Sequence, residues 1–171
     1  MTLIEDIFTR QDRYQPAGPI DSDPFREDDA LFDAQLLDCR VCPTSNRAAL
    51  LFEMRTAEQF LSGNGAILIV HGLQSFHWDG APTHRPLMAF SVQEYKPSVN
   101  TDSGVRLNLG FFPDGDLSVA GDRADFYLLE VPGIPQAPPN YSQRSLGQVR
   151  DGLPWWDSPC TVLQSSTTSS T

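Results

Sequence analysis

The two cysteines of the stretch "CRVC", Cys39 and Cys42, have the spacing of zinc knuckles and of thioredoxin-type redox sites. Alternating apolar residues predict a β-strand here, and successive side chains of a strand point to opposite faces, so the thiols should diverge. A zinc site also needs two further ligands, and the sequence has no second CxxC and no HxxxH. We therefore predict that Cys39 is a buried small hydrophobe, and we expect no metal and no cofactor.

The three histidines, His71, His77 and His84, are the side chains best suited to act as catalytic bases. In one unbroken strand, His71 and His77 would share a face but lie about 20 Å apart. The sequence has no GxSxG motif and offers no nucleophile in a recognisable context. We predict no catalytic residues. An enzyme would become the better hypothesis if His71 or His77 met a carboxylate in a cleft with a shifted pKa.

Acidic residues and tryptophans supply the candidate partner-binding residues. The carboxylates that precede the strands have two interpretations. In the simpler one they only form an acidic surface in contact with water, and in the other they form a patch that binds a basic partner. The tryptophans of "LPWWDSP" either close an open end of the sheet or form an exposed anchor, as tryptophan does at many interfaces. The predicted partner-binding set is Asp21, Asp23, Glu27, Asp28, Asp29, Trp155 and Trp156.

The elements that must position these residues are short strands. From residue 31, apolar and polar residues alternate, as in "VRLNLGFF", and turn residues bound each run. "FFPDGDL" predicts a tight hairpin with Gly115 in a left-handed conformation, and the change of apolar parity after Gly121 predicts a bulge. The fold class is therefore mainly β: an antiparallel β-sandwich or partly open barrel with a short N-terminal helix and an irregular C-terminal tail.

We divide the chain into segments by composition and period. Residues 1–30 hold a short helix, in which Thr2 and Glu5 have capping-box spacing, and a proline-rich lead-in. Residues 31–131 form the antiparallel β domain. Residues 132–163 are rich in Pro and Gly. This composition predicts an extended segment that wraps around the β domain without regular secondary structure. Residues 164–171, "QSSTTSST", predict a disordered tail because they have no apolar side chain to bury.

The net charge, the cysteine count and the length of the apolar runs restrict the possible partners and the cellular compartment of the chain. The formal net charge of −10 argues against binding nucleic acid or an anionic membrane through phosphate contacts. Three cysteines do not suit a disulfide framework, the N-terminus is not a signal peptide, and no apolar run reaches the ~20 residues of a membrane span. We expect a cytoplasmic protein whose partner is another, basic protein. An exposed strand edge would also allow a homodimer.

The runs "LFDAQLLDCRV", "AALLFEM", "ILIVHGLQSFHWDG" and "VRLNLGFFPDGDLSVAGDRADFYLLE" resemble a loose group of small bacterial β-domains, mostly uncharacterised. Some of these are grouped with immunity proteins of polymorphic toxin systems. The shared features lie in residues 31–131: Asp33 before the first strand, the step from Gly72 to Phe76, and a closing hairpin. The resemblance implies a cytoplasmic, non-enzymatic protein that binds a cognate toxin, as an immunity protein does, or another protein. The alternative is a small-ligand-binding β-domain with an apolar pocket, which a fully packed interior would exclude.

Overall fold

The structure is a computed structural model that describes residues 1–10, 14, 18–80, 85–142 and 144–168. His84 lies outside these ranges. The helices are α1 (Ile4–Thr9) and α2 (Leu146–Val149), and a 3₁₀ turn, Arg150–Gly152, follows α2. The strands are β1 (Thr2–Leu3), β2 (Gln35–Cys42), β3 (Arg47–Glu53), β4 (Gly65–His71), β5 (Ser75–Asp79), β6 (Phe90–Asn100), β7 (Gly104–Phe112), β8 (Asp116–Gly121), β9 (Arg123–Glu130) and β10 (Pro159–Thr167).

The strands join one open antiparallel sheet, so the prediction of a mainly β, antiparallel fold is confirmed. Their order is β1-β10-β9-β4-β3-β2-β6-β7-β8-β5. Between β2 and β6 the ladder consists of two residue pairs, Gln35 with Ser91 and Leu36 with Phe90. This short ladder divides the sheet into a first half, β1-β10-β9-β4-β3-β2, and a second half, β6-β7-β8-β5.

The first core lies between the inner faces of the two halves. Leu50, Leu68 and Phe126 of the first half share one buried cluster with Leu107 and Val119 of the second half. Each of these side chains is at most 1 % exposed. Full burial of one such side chain stabilises a fold by roughly 1.5–3 kcal/mol, so this cluster is a main reason that the halves stay together.

A second core covers the opposite face of the central strands β3, β4 and β9. Ile7 and Phe8 of α1 pack there with Ile67, Ile69 and Trp156. Both faces of the central strands are therefore buried. This explains why β3 and β4 contain the nearly continuous apolar runs "AALLF" and "AILIV" instead of an alternating pattern.

The predicted N-terminal helix is confirmed, but it begins at Ile4 and the predicted capping box is wrong. Thr2 belongs to β1, and no side chain caps the helix. The C-terminal segment satisfies the first amide groups instead: Ile4 N donates to Ser158 O at 3.1 Å. Glu5 N donates to Trp156 O at 2.8 Å. Within the described residues, no helix is long and apolar enough to cross a membrane.

The C-terminal segment is more ordered than its composition predicted. Pro159–Thr167 form β10, which pairs with β1 on one side and β9 on the other. The disorder predicted for 164–171 is therefore wrong for 164–167, and the wrap predicted for 132–163 ends in a strand. Composition misled here because the backbone of β10 gains its hydrogen bonds from its neighbours, whatever its side chains. Residues 169–171 lie outside the described ranges.

The hairpin predicted at "FFPDGDL" is confirmed, and it joins β7 to β8. Phe111 N donates to Gly115 O at 2.9 Å, and Gly115 has a φ of +119°. The bulge predicted at Gly121 is wrong. β8 ends at Gly121 and β9 begins at Arg123, so the chain passes here from the second half of the sheet to the first. The apolar parity changes because two separate strands meet at this corner.

Candidate functional site

The cysteines of CRVC both lie in β2 and face opposite sides of the sheet, as predicted. Cys39 packs against the first core and Cys42 against the second, and both thiols are free. Burial, with a smaller contribution from the charge of Asp38, raises the pKa of Cys39 to about 12. A thiol that stays protonated is a poor nucleophile and metal ligand. The described ranges contain no group of three or more His, Cys, Asp or Glu side chains that could hold a metal ion.

His71 meets a carboxylate, because its Nε2 lies 2.8 Å from Asp125 Oδ2. Burial raises the pKa of Asp125. Hydrogen bonds from His71 and Thr167, together with nearby positive charge, outweigh burial and hold that pKa below its ordinary value. In the described part of the chain, the imidazole bonds no hydroxyl or thiol that could act as a nucleophile. The contact therefore connects β4, β9 and β10 at one end of the first half without completing a catalytic arrangement.

Four of the five acidic residues predicted to bind a partner accept hydrogen bonds within the protein. The bonds are Leu61 N to Asp21 Oδ2 (3.0 Å), Phe25 N to Asp23 Oδ1 (3.0 Å), Ser22 Oγ to Glu27 Oε2 (3.2 Å) and Tyr95 N to Asp29 Oδ1 (3.0 Å). Asp28 is exposed. Carboxylates commonly stabilise turns in this way, so residues 21–29 have a structural role. Partner binding by these residues stays a prediction.

The two adjacent tryptophans differ in exposure. Trp156 is 1 % exposed, its Nε1 donates to Asp38 Oδ2 at 2.7 Å, and Arg40 Cζ lies 4.2 Å from its ring centroid. The prediction that Trp156 binds a partner is therefore wrong, because this indole fills the second core. Trp155 is partly exposed and lines a small apolar recess with Leu146.

A groove opens near the start of β6 and the end of β7, where the sequence predicted no site. We call it the end groove. Its volume is about 670 Å³, which lies within the range of ligand-binding sites. The recess beside Trp155 shares part of its lining. The residues that define the end groove below are Gln35, Leu87, Met88, Phe112, Pro139 and Tyr141.

Two polar atoms of the groove lining, Gln35 Oε1 and Tyr141 Oη, are buried and have no partner among the described residues. Burial and the charge of Glu53 raise the pKa of Tyr141 to about 12, so its phenol stays neutral and can donate a hydrogen bond. A buried polar group without a partner costs roughly 1–3 kcal/mol. A bound group that hydrogen-bonds these atoms would regain that free energy.

Exposed aromatic side chains lie at and beside the end groove. Phe112 is 64 % exposed, and Trp78 of β5 is 39 % exposed. The Trp78 ring packs edge-on against Phe90 and Phe111, with centroids 5.2 and 5.6 Å apart. Phe111 belongs to the first core and Phe90 packs against it, so these two rings hold the Trp78 ring in place. Aromatic side chains with fixed positions are typical of protein interfaces.

A buried ion pair holds the proline-rich wall of the end groove. Glu53 is fully buried and accepts hydrogen bonds from Nε and Nη2 of Arg55 at 2.8 and 2.5 Å. The remaining N–H groups of the guanidinium donate to the carbonyls of Pro135, Ala137 and Gly152 at 2.7, 3.1 and 2.6 Å. All the guanidinium donors are used, so this one side chain fixes the path of the segment that leads to Tyr141.

Sequence reasoning missed both the end groove and the ion pair. The groove combines residues 85–89, 112–113 and 138–142, and no local pattern links segments so far apart. The ion pair did leave a signal. Glu53 ends an apolar strand, and Arg55 has the same parity, so both side chains point to one side of the chain.

No family model, curated protein or solved structure matches this chain. The resemblance to immunity-associated β-domains therefore stays a prediction. The function has to be inferred from the end groove and its surroundings.

Proposed function

We propose that this chain is a non-enzymatic protein-binding domain that contacts its partner through the end groove. The observation that carries the proposal is Phe112, whose side chain is 64 % exposed at the rim of the end groove. The groove lining combines apolar side chains with the polar residues Gln35, Arg85, Asn140, Tyr141 and Ser142. With Leu87, Met88 and Pro113, Phe112 forms an apolar surface of the kind that marks interaction sites. Covering Phe112 would remove a large apolar side chain from water, which favours a complex.

The chemistry of the chain supports a basic partner. A net charge of −10 attracts a positively charged protein and raises its association rate. The sequence resemblance extends the proposal to a partner class, a cognate bacterial toxin that this immunity protein would neutralise. We also propose a cytoplasmic location, which the free thiols of Cys39, Cys42 and Cys160 support.

The alternative function, binding of a small molecule in a pocket between the halves of the sheet, has less support. Leu68, Leu107 and Phe126 meet there in one cluster and are fully buried. The end groove itself is open to solvent. Small-molecule sites usually enclose most of their ligand, so an open groove suits a protein segment better.

Affinity capture from a lysate of the source organism tests the proposal with tagged wild type, Phe112→Ser and Val99→Ser. Val99 is a matched control because it is also apolar, is 42 % exposed, and lies at the opposite end of the β6–β7 hairpin. We expect the wild type and Val99→Ser to capture one protein that Phe112→Ser does not.

Two results would count against the proposal. Equal capture by all the baits would show that the partner uses another surface. Recovery of a small molecule from the denatured wild type, with no captured protein, would favour the alternative function.

A further inference from the structure

We propose that the segment bound in the end groove carries a lysine or arginine next to its apolar anchor, and that Asp79 and Asp116 pair with this cation. The inference rests on the proposed function, because it names the partner chemistry for the same groove. According to this inference, carboxylates of the second half of the sheet bind the positive charge of the partner, and the acidic residues within 21–29 do not.

Asp79 and Asp116 face each other across the ladder between β5 and β8. Opposite side chains of an antiparallel pair share a face, with Cβ atoms about 4.5–5.5 Å apart, and like charges in these positions are destabilising. Both residues are exposed, and neither has a salt bridge or a side-chain hydrogen bond within the described ranges. The arrangement costs stability with no compensating contact in the protein, which is typical of charges that serve a partner.

The carboxylate pair adjoins the end groove through β7. Gly110 is opposite Asp116 in the ladder, and Phe112 points to the same outer face two residues further on. A Cβ placed on Gly110 would lie 3.7 Å from Asp116 Oδ1, at ordinary contact distance. The same Cβ would lie 3.6 Å from Glu94 Cβ, so the glycine has Asp116 on one side and Glu94 on the other, and it adds no side chain of its own between Phe112 and the carboxylates.

The nearby Glu94 is already neutralised, because its Oε1 lies 2.8 Å from Lys96 Nζ. Asp79 and Asp116 have no cation partner among the residues that the structure describes. A guanidinium suits the position best, since it can bond both carboxylates and stack on an aromatic ring such as that of Phe112. An ammonium group fits the same charges with fewer hydrogen bonds.

Selection of phage-displayed random peptides, about twelve residues long, on the full-length wild type tests the occupant directly. Fluorescence anisotropy then compares the selected peptides on the wild type, Phe112→Ser, Asp79→Asn/Asp116→Asn and Glu58→Gln/Asp102→Asn. Each double variant removes two carboxylates, so the net charge of both changes from −10 to −8. The control positions, Glu58 and Asp102, are exposed and lie in the β3–β4 loop and in the β6–β7 turn.

We expect the enriched peptides to share a Lys or Arg close to an aromatic or aliphatic residue. Asp79→Asn/Asp116→Asn should bind them about tenfold more weakly at low salt, and the difference should shrink at high salt because salt screens exposed charges. The control double variant should keep wild-type affinity. The melting temperature of Asp79→Asn/Asp116→Asn should equal that of the wild type or exceed it by roughly 1–3 °C, because like-charge repulsion is removed.

Each contrary outcome has a distinct meaning. Peptides without basic residues that bind wild type and Asp79→Asn/Asp116→Asn equally, but not Phe112→Ser, would overturn this inference and leave the proposed function standing. A lower melting temperature of Asp79→Asn/Asp116→Asn would overturn it by assigning the carboxylates to the fold. Absence of enriched peptides, or peptides that bind Phe112→Ser as tightly as wild type, would overturn the proposed function itself.

Discussion

At Arg55, a guanidinium meets two carboxylate oxygens of Glu53 and three main-chain carbonyls in a site from which water is almost excluded. The guanidinium needs all these hydrogen-bond acceptors, because burying a charge without partners costs several kcal/mol. His71 and Asp125 form a second polar contact, between β4 and β9. At the scale of single residues, Arg55 therefore joins the end of β3 to the carbonyls of Pro135, Ala137 and Gly152, which no sequence pattern connects to it.

Arg55→Met should lower the free energy of unfolding by about 3–5 kcal/mol, because Glu53 then becomes a buried charge without a partner. Urea denaturation measures the loss. The double variant Glu53→Gln/Arg55→Met should be more stable than Arg55→Met alone, since it removes the unpaired charge. If the double variant were no more stable than the single one, the ion pair would not be the source of the effect.

Asp125→Asn should destabilise the protein in a pH-dependent way. The pKa of Asp125 in the fold lies below its ordinary value of about 3.9, so the ionised carboxylate stabilises the fold above that pH. This contribution is lost as the pH falls through the folded-state pKa. We expect Asp125→Asn to be less stable than wild type by about 1 kcal/mol at neutral pH, and the difference to shrink below about pH 4. Denaturation curves over a pH series measure it, and a constant difference would contradict the assignment.

At the scale of elements, β10 completes the first half of the sheet and anchors the acidic segment. Asp21 N donates to Gln164 Oε1 at 2.9 Å, and Ser166 Oγ donates to Asp23 Oδ1 at 2.8 Å. The C-terminal strand and the lead-in to β2 therefore stabilise each other. Two segments that look irregular by composition become ordered because each satisfies the polar groups of the other.

Truncated variants distinguish an ordered, stabilising β10 from a disordered C-terminal tail. A chain that ends at Leu163 should lose at least about 2 kcal/mol of stability, because β9 loses ladder partners and the bonds to Asp21 and Asp23 disappear. A chain that ends at Thr168 should match the wild type. Thermal melting measures both, and light scattering detects aggregation through the uncovered edge of β9. Equal melting temperatures for the two truncations would support the disordered tail.

At the scale of the whole molecule, the chain crosses from the second half of the sheet to the first at the corner between β8 and β9, where the backbone is tightly packed. A Cβ on Gly104, which begins β7, would lie 2.2 Å from Gly121 O. A Cβ on Gly121 would lie 2.5 Å from Val70 Cγ1 of the first half. Neither position accepts a side chain, so the close approach of the backbones requires glycine there.

Gly104→Ala and Gly133→Ala form a matched pair that isolates this contact. Their φ angles are +87° and +84°, but a Cβ on Gly133 would have nothing within 4 Å. Gly133→Ala should cost roughly 1–2 kcal/mol for the left-handed conformation alone. Gly104→Ala should cost about 1–3 kcal/mol more, because the methyl group also collides with the backbone of the corner. Urea denaturation compares them, and equal losses would show that the close contact is unimportant.

Much of the fold could be predicted from the sequence, but little of the candidate site could. The alternation in β7 and the turn at Gly115 are local, and both were predicted. The parity change at Gly121 was noticed but interpreted as a bulge, because the pattern does not say whether one strand continues or two strands meet. Phe112 was visible as an aromatic residue, but its exposure depends on neighbours from distant segments.

The sequence by itself determined the short N-terminal helix and the strands within residues 31–131, because the side-chain period of a strand and the chemistry of a turn are local properties of the chain. Only the tertiary structure decided what those elements place together. The end groove, the opposition of Asp79 and Asp116 and the acceptors of Arg55 all join residues distant in sequence. Their positions follow from the strand order and from the short ladder between β2 and β6, and no local pattern encodes either of these.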